Sequence, residues 1–179
     1  MTWTAPLTAV SGTALTAAQF NTHVRDNLNE TEVAKLTDLG NFVGNVGANS
    51  VTMRRQSMRS VNTPDDVVAT SYADSDVLGP AVSIETGTTA LCIFGAEMYN
   101  SGASNFSVAS VGVSGATTVA VSDSWCIAAE GYTAANPIRY VTCHRFTGLT
   151  AGTNVFTMQY KVAAGTGTFA NRALYVIAL

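Results

Sequence analysis

The sequence predicts a mainly β protein: an antiparallel, jelly-roll-like β-sandwich of about eight strands, preceded by an extended arm and a helix. Three observations carry this. From Asn41 onward no segment holds helical periodicity. Turn signals recur at short intervals, among them Gly47-Ala48-Asn49, Gly79-Pro80, Ser101-Gly102, Ser114-Gly115, Ala151-Gly152 and Gly165-Thr166-Gly167. The segments between them are short and rich in β-branched and aromatic residues.

Residues 1–14 are Thr, Ala, Gly and Pro punctuated by Trp3, Leu7 and Val10, too short and broken for a core of their own. They read as an extended arm anchored by Trp3 and Leu7, with a disordered tail as the alternative. The next stretch, Leu15 to Leu28, specifies a helix. Thr16 is placed to cap the first turn while Gln19, three residues on, reaches back to its amide, and Leu15 and Phe20 are spaced for a hydrophobic staple. Phe20, Val24 and Leu28 form one apolar stripe, with Arg25 and Asp26 beside it. So narrow a stripe on so short a helix must pack on something outside the segment. Helical character continues less clearly to Leu36. Phe20, Val24, Asn27, Thr31 and Ala34 have coiled-coil spacing, so the helix either pairs with its own copies or lies on a neighbouring protein.

The expected strands are Val51 to Val61, Val77 to Ile84, Ala90 to Tyr99, Asn105 to Val113, Trp125 to Ala129, Ile138 to Phe146, Asn154 to Val162 and Ala173 to Leu179. This divides the chain into an arm and helix (1–40), a connecting strand segment (41–60) and a β-sandwich (61–179). Phe156, Met158, Tyr160 and Val162 alternate with Thr157, Gln159 and Lys161, so that strand has a core face and a water face. Ala90 to Met98 is apolar on both faces, with Leu91 and Ile93 opposite Cys92, Phe94, Ala96 and Met98, as is the final strand with Tyr175, Ile177 and Leu179. In a two-layer sandwich the second cover is another subunit or a layer of loops. Leu91, Ile93, Glu97, Tyr175, Ile177 and Leu179 are therefore the candidate oligomer interface, with Glu97 expected in an intersubunit ion pair with Arg139 or Arg145.

Composition fits a protein buried in an assembly. Hydrophobic residues make up 47% of the 179, and only 12% are charged, about half the usual share. The net charge of -3 argues against a nucleic-acid footprint. No run approaches the roughly 18 apolar residues of a membrane span, and Met1 to Ala18 lacks the charged and apolar regions of a signal peptide. Three widely spaced cysteines suggest no disulfide framework.

No catalytic constellation emerges, and the chain reads as a non-enzyme without metal or cofactor. Cys143 and His144 are strand neighbours that point to opposite faces, so they cannot act as nucleophile and base. Asp65, Asp66, Asp74, Asp76 and Asp123 lack a calcium-loop pattern and read as solvated carboxylates. Glu97 and Glu130 are candidates for glycoside hydrolysis only by lying among apolar residues. Aromatic residues near strand ends, Trp125 and Tyr132 foremost, are candidate glycan contacts, against a competing reading as core or rim packing.

Two stretches carry a resemblance. Thr16-Ala17-Ala18, Phe20-Asn21 and Val24-Arg25-Asp26-Asn27-Leu28, preceded by Trp3-Thr4-Ala5-Pro6, resemble the N-terminal segment of tail and fibre-type structural proteins of bacteriophages and prophages. Gly148 to Asn154, Phe156, Tyr160, Gly165 to Arg172 and Leu174 to Leu179 resemble the last strands of their β-domain. The resemblance covers about a third of the chain. It implies a homotrimer in the virion, attached to capsid or tail proteins through residues 1–40. Trp3, Leu7, Phe20, Val24, Arg25, Asp26 and Leu28 would carry that attachment, and the β-domain would project as a fibre, decoration or minor tail protein. A host-surface glycan is the alternative partner.

Overall fold

The computed structural model describes residues 12, 14, 16–26, 41–47, 50–102 and 104–179. The chain divides into two compact units, Met1–Arg54 and Arg55–Leu179. The expectations at Trp3, Leu7 and Leu28 lie outside the described residues, as does the side chain of Asp26.

In the first unit the helix starts as the sequence dictates. The Gln19 amide donates to Thr16 Oγ1 at 3.2 Å, and the Thr16 amide donates to Gln19 Oε1 at 3.0 Å, closing the capping box. After α1 (Ala17–Phe20) the chain widens into a π-helix over Asn21–Asp26, where the sequence predicts continuous α-helix. Hydrogen bonds reaching back five residues bring side chains four or five apart into line. Phe20 and Val24, 49% and 45% exposed, keep a common apolar side. β1 (Asn41–Gly47), which the sequence reading omits, lies beside β2 (Ser50–Val61).

The second unit continues with β3 (Asp65–Val67), β4 (Ala81–Thr86), β5 (Thr89–Asn100), β6 (Ser107–Gly115), β7 (Ile127–Ala129), β8 (Ile138–Thr147), β9 (Gly152–Val162) and β10 (Gly167–Ala178). Its topology follows from nested antiparallel pairs. β6 pairs with β7, β5 with β8, β4 with β9 and β2 with β10, so the chain folds back on itself as one long ribbon. Wrapping that ribbon sets β9 against β6 and β10 against β5. The result is two antiparallel sheets, β2-β10-β5-β8 with β3 also on β10, and β4-β9-β6-β7. This is a jelly roll.

Alternation along the strands fills the space between the sheets. Phe94, Met98, Phe169, Leu174 and Val176 from the first sheet meet Val111, Phe156, Met158 and Tyr160 from the second, all essentially inaccessible to solvent. Phe146 bridges them through edge contacts with Phe156 and Trp125, at 5.6 Å between ring centres in each case.

All eight expected strands form, the one expected from Trp125 being shortened to Ile127–Ala129 by a 3-10 turn over Asp123–Trp125, and three further corrections follow. β4 begins at Ala81 rather than Val77, because Gly79-Pro80 interrupts pairing: Pro80 has no amide to donate, and a Cβ at Gly79 would meet the Tyr160 hydroxyl. β10 begins at Gly167 rather than Ala173. The polar Asn171-Arg172 step resembles a strand end in the sequence, but the strand passes through it as a bulge. Asn171 there adopts φ 47°, and Ala170 and Ala173 pair with Glu97 and Gly95. The third correction concerns Asp65, expected in solvent. Its side chain is only 11% exposed, accepts the Val77 amide at 2.7 Å and lies 4.0 Å from the fully buried Arg172 guanidinium.

Candidate interaction surface

The register of the first sheet decides what its outer face presents. Tyr175 of β10 lies opposite both Met58 of β2 and Ile93 of β5, and Ile93 lies opposite Cys143 of β8. Residues paired across antiparallel strands point to the same side. The neighbouring rows are Gln56-Ile177-Leu91-Arg145 and Ser60-Ala173-Gly95-Val141. Three rows on four strands span roughly 14 by 14 Å between Cα positions, a few hundred Å² once side chains are included. Met58 and Val141 are 61% and 62% exposed, and Leu91, Ile93, Tyr175 and Ile177 are half-buried.

Five of the six expected interface residues, Leu91, Ile93, Glu97, Tyr175 and Ile177, thus sit on this one face. Leu179 follows in alternation at the chain end, where its amide donates to the Thr89 carbonyl. Met58, Val141 and Cys143 share the face and were not anticipated. Their strands look polar or mixed in sequence, and only the register shows which of their residues face outward.

A polar row bounds the apolar rows. Glu97 lies opposite Arg139, accepts a hydrogen bond from Asn171 Nδ2 at 3.1 Å, and Arg139 Nη2 donates to the Asn171 carbonyl at 3.4 Å. Within the chain Glu97 takes Asn171 as its hydrogen-bond partner, with Arg139 opposite it in register. The bulge that places Asn171 here also turns Arg172 inward. Its Nη1 donates to Ser75 Oγ and the Val77 carbonyl, at 2.7 and 3.0 Å, and its Nη2 to the Thr63 carbonyl at 3.1 Å. Arg172 thereby fastens the crossover from β2 to β4 onto β10.

The outer face of the second sheet differs. Ser83, Glu85, Thr157, Gln159 and Lys161 point outward from β4 and β9. Lys161 Nζ contacts Asp123 at 2.8 Å and lies 4.6 Å from the centre of the Tyr72 ring, and the Tyr72 hydroxyl donates to Asp123 at 2.6 Å. Hydrogen bonds from Lys161 and then Tyr72 hold the Asp123 carboxyl below its ordinary range, and burial pushes the Tyr72 hydroxyl up.

The chemical candidates are dispersed. His144 faces the core side, stacked on Trp125 at 4.5 Å between ring centres, and burial holds its pKa down. Cys143 faces outward, so the two point apart. The Trp125 indole donates to the Val111 carbonyl at 2.9 Å, and Tyr132 packs edge-on against Tyr140. Cys92 is buried, which pushes its thiol up to about 12. Glu130 is exposed, and among the described residues no cluster of three metal-ligating side chains occurs. No helix among the described residues is long and apolar enough to cross a membrane.

No protein-family model matches this chain, and no curated protein matches it.

Proposed function

We propose that the protein is a virion structural protein of a bacteriophage or prophage, a fibre, decoration or minor tail protein. Three copies of its jelly roll would share the apolar outer face of the β2-β10-β5-β8 sheet, and residues 1–40 would attach it to capsid or tail proteins. The single observation behind this reading is that face. A jelly roll with a mainly apolar outer surface on one sheet and a mainly polar one on the other has a side for a partner and a side for water. Further copies of the chain are the occupant this reading favours, because the rows carry no charge apart from Arg145 at one edge, and copies around a threefold axis can cover this face of each chain through heterologous contacts. The threefold number and the virion setting come from the sequence resemblance. On the helix, Phe20 and Val24 supply an exposed apolar side that fits the attachment role.

The test is the mass of the intact chain in solution by light scattering. Three times 18.6 kDa is the expected value, and a monomer at micromolar concentration would overturn the assembly. Attachment is tested on particles: protein lacking residues 1–40 should be missing from purified virions, and its presence there would refute the role of that segment.

A further inference from the structure

Beyond the polar row of Glu97 and Arg139, the same sheet face ends in a cleft of about 660 Å³. Asp66, Tyr99, Ser101, Thr133, Thr166 and Thr168 supply most of its functional groups. Three of these are fixed by strand register, since Thr168 of β10 lies opposite Asp66 of β3 on one side and Tyr99 of β5 on the other. A carboxylate, a hydroxyl and an aromatic side chain therefore stand in one row on a rigid floor. Thr168 Oγ1 donates to Asp66 Oδ1 at 2.6 Å, which orients the carboxylate and leaves its second oxygen for a ligand.

The loops that wall the cleft are also tied down. Buried Asn100 donates through Nδ2 to Ser107 Oγ and to the Ala164 carbonyl, both at 3.3 Å, and its Oδ1 accepts the Gly102 amide at 3.0 Å. Ser101 Oγ accepts the Thr166 amide at 2.9 Å, joining the turn after β5 to the one before β10. Such a cleft lies within the size range of small-molecule sites and is held open by bonds made inside the protein.

The lining selects the ligand class. It contains no cation, and its one charge is the carboxylate of Asp66, so anionic ligands are repelled. A single carboxylate is too few ligands for a metal ion. Hydroxyls from Ser101, Thr133, Thr166 and Thr168, beside a tyrosine ring, suit a neutral polyhydroxylated molecule. Ring C–H groups of a sugar can lie on the tyrosine, and sugar hydroxyls can donate to the carboxylate in charge-assisted hydrogen bonds. We propose that this cleft is a binding site for a neutral saccharide, with Tyr99 as the stacking surface and Asp66 as the principal acceptor. The site stands on its own lining and does not require the virion assignment. It lies outside the apolar rows, so assembly through them leaves it a separate surface.

The experiment uses the intact protein against an array of bacterial surface glycans and, by saturation-transfer NMR, a panel of maltotriose, cellobiose, diacetylchitobiose and the acidic 3′-sialyllactose. Binding of a neutral glycan is expected, with the acidic one excluded. Tyr99→Ala and Asp66→Asn should each weaken binding by about tenfold or more. The Asn still offers Thr168 an acceptor, and circular dichroism with light scattering checks that both variants keep the fold and mass of the parent. No neutral glycan bound, preference for the acidic one, or binding unchanged in both variants would each overturn the site. A monomeric parent that binds saccharide would sink the assembly and leave the cleft standing.

Discussion

Tyr175 stands directly opposite Ile93 across the β10–β5 pair, and both side chains point away from the sandwich core. They are the centre of the apolar face. If copies meet there, Ile93→Asp puts a charge into a dry interface, where an unpaired carboxylate costs several kcal/mol. The variant should sediment as a folded monomer, with an unchanged circular dichroism spectrum, at concentrations where the parent is assembled. A variant that keeps the parent's mass would move the interface elsewhere.

Much of this was legible before the fold was known. The two-sided apolar pattern of Ala90 to Met98 matches a central strand with apolar residues on both faces, and the alternation from Phe156 to Val162 matches the inward face of β9. What sequence could not supply was register. Met58, Val141 and Cys143 join the outer face because β2 and β8 are aligned to β10 and β5 by long-range pairing, which leaves no local signal. The burial of Arg172 is invisible in the sequence for a related reason. A charged residue near a glycine-rich turn looks exposed, and its partners Thr63, Asp65, Ser75 and Val77 lie about a hundred residues away. The cleft has the same origin, since Asp66 and Tyr99 meet only through Thr168.

Arg172 is wholly buried, and its donors hold Ser75 and two backbone carbonyls beside Asp65. Arg172→Met strips those acceptors of their donor and leaves Asp65 without its counter-charge. The expected loss of stability is about 3 kcal/mol, read from the urea unfolding midpoint. Arg172→Lys should recover little of it, because an ammonium cannot reproduce the planar fork that reaches several acceptors at once. Parent-like stability in Arg172→Met would show that the β2–β4 crossover is held by packing alone.

Gly115 closes β6 at φ +96°, where a Cβ would stand 2.6 Å from the Thr153 carbonyl oxygen. Both the backbone conformation and the neighbour oppose a side chain. Gly115→Ala should cost about 2 kcal/mol in the same unfolding measurement. A loss within experimental error would mean that the β6–β9 end relaxes freely.

His144 makes stability depend on pH in a defined direction. Burial against Trp125 and Phe146 lowers its pKa below the ordinary 6.5, so the unfolded chain takes up a proton before the folded one does. The contribution is complete above pH 6.5 and declines as pH falls from there through the folded value. Thermal unfolding between pH 7 and pH 5 should show a falling midpoint in the parent. The fall should flatten in His144→Gln, and equal slopes in the two proteins would remove His144 as its source.

Cys143 offers a direct view of the apolar face. It is exposed in the single chain and lies opposite Ile93, whereas Cys92 is buried with its thiol pushed up to about 12 and Cys126 is half-buried near Tyr72 and Asp123. A thiol reagent added to the separated chain should therefore modify Cys143 first, Cys126 more slowly and Cys92 only on unfolding. Assembly through this face covers Cys143 and should slow its modification relative to Cys126. Labelling followed by peptide mass mapping, run on the parent and on Ile93→Asp, separates the cases. Slow Cys143 in the parent and fast Cys143 in the variant places a partner on this surface, while equally fast labelling in both means the face stays open in solution.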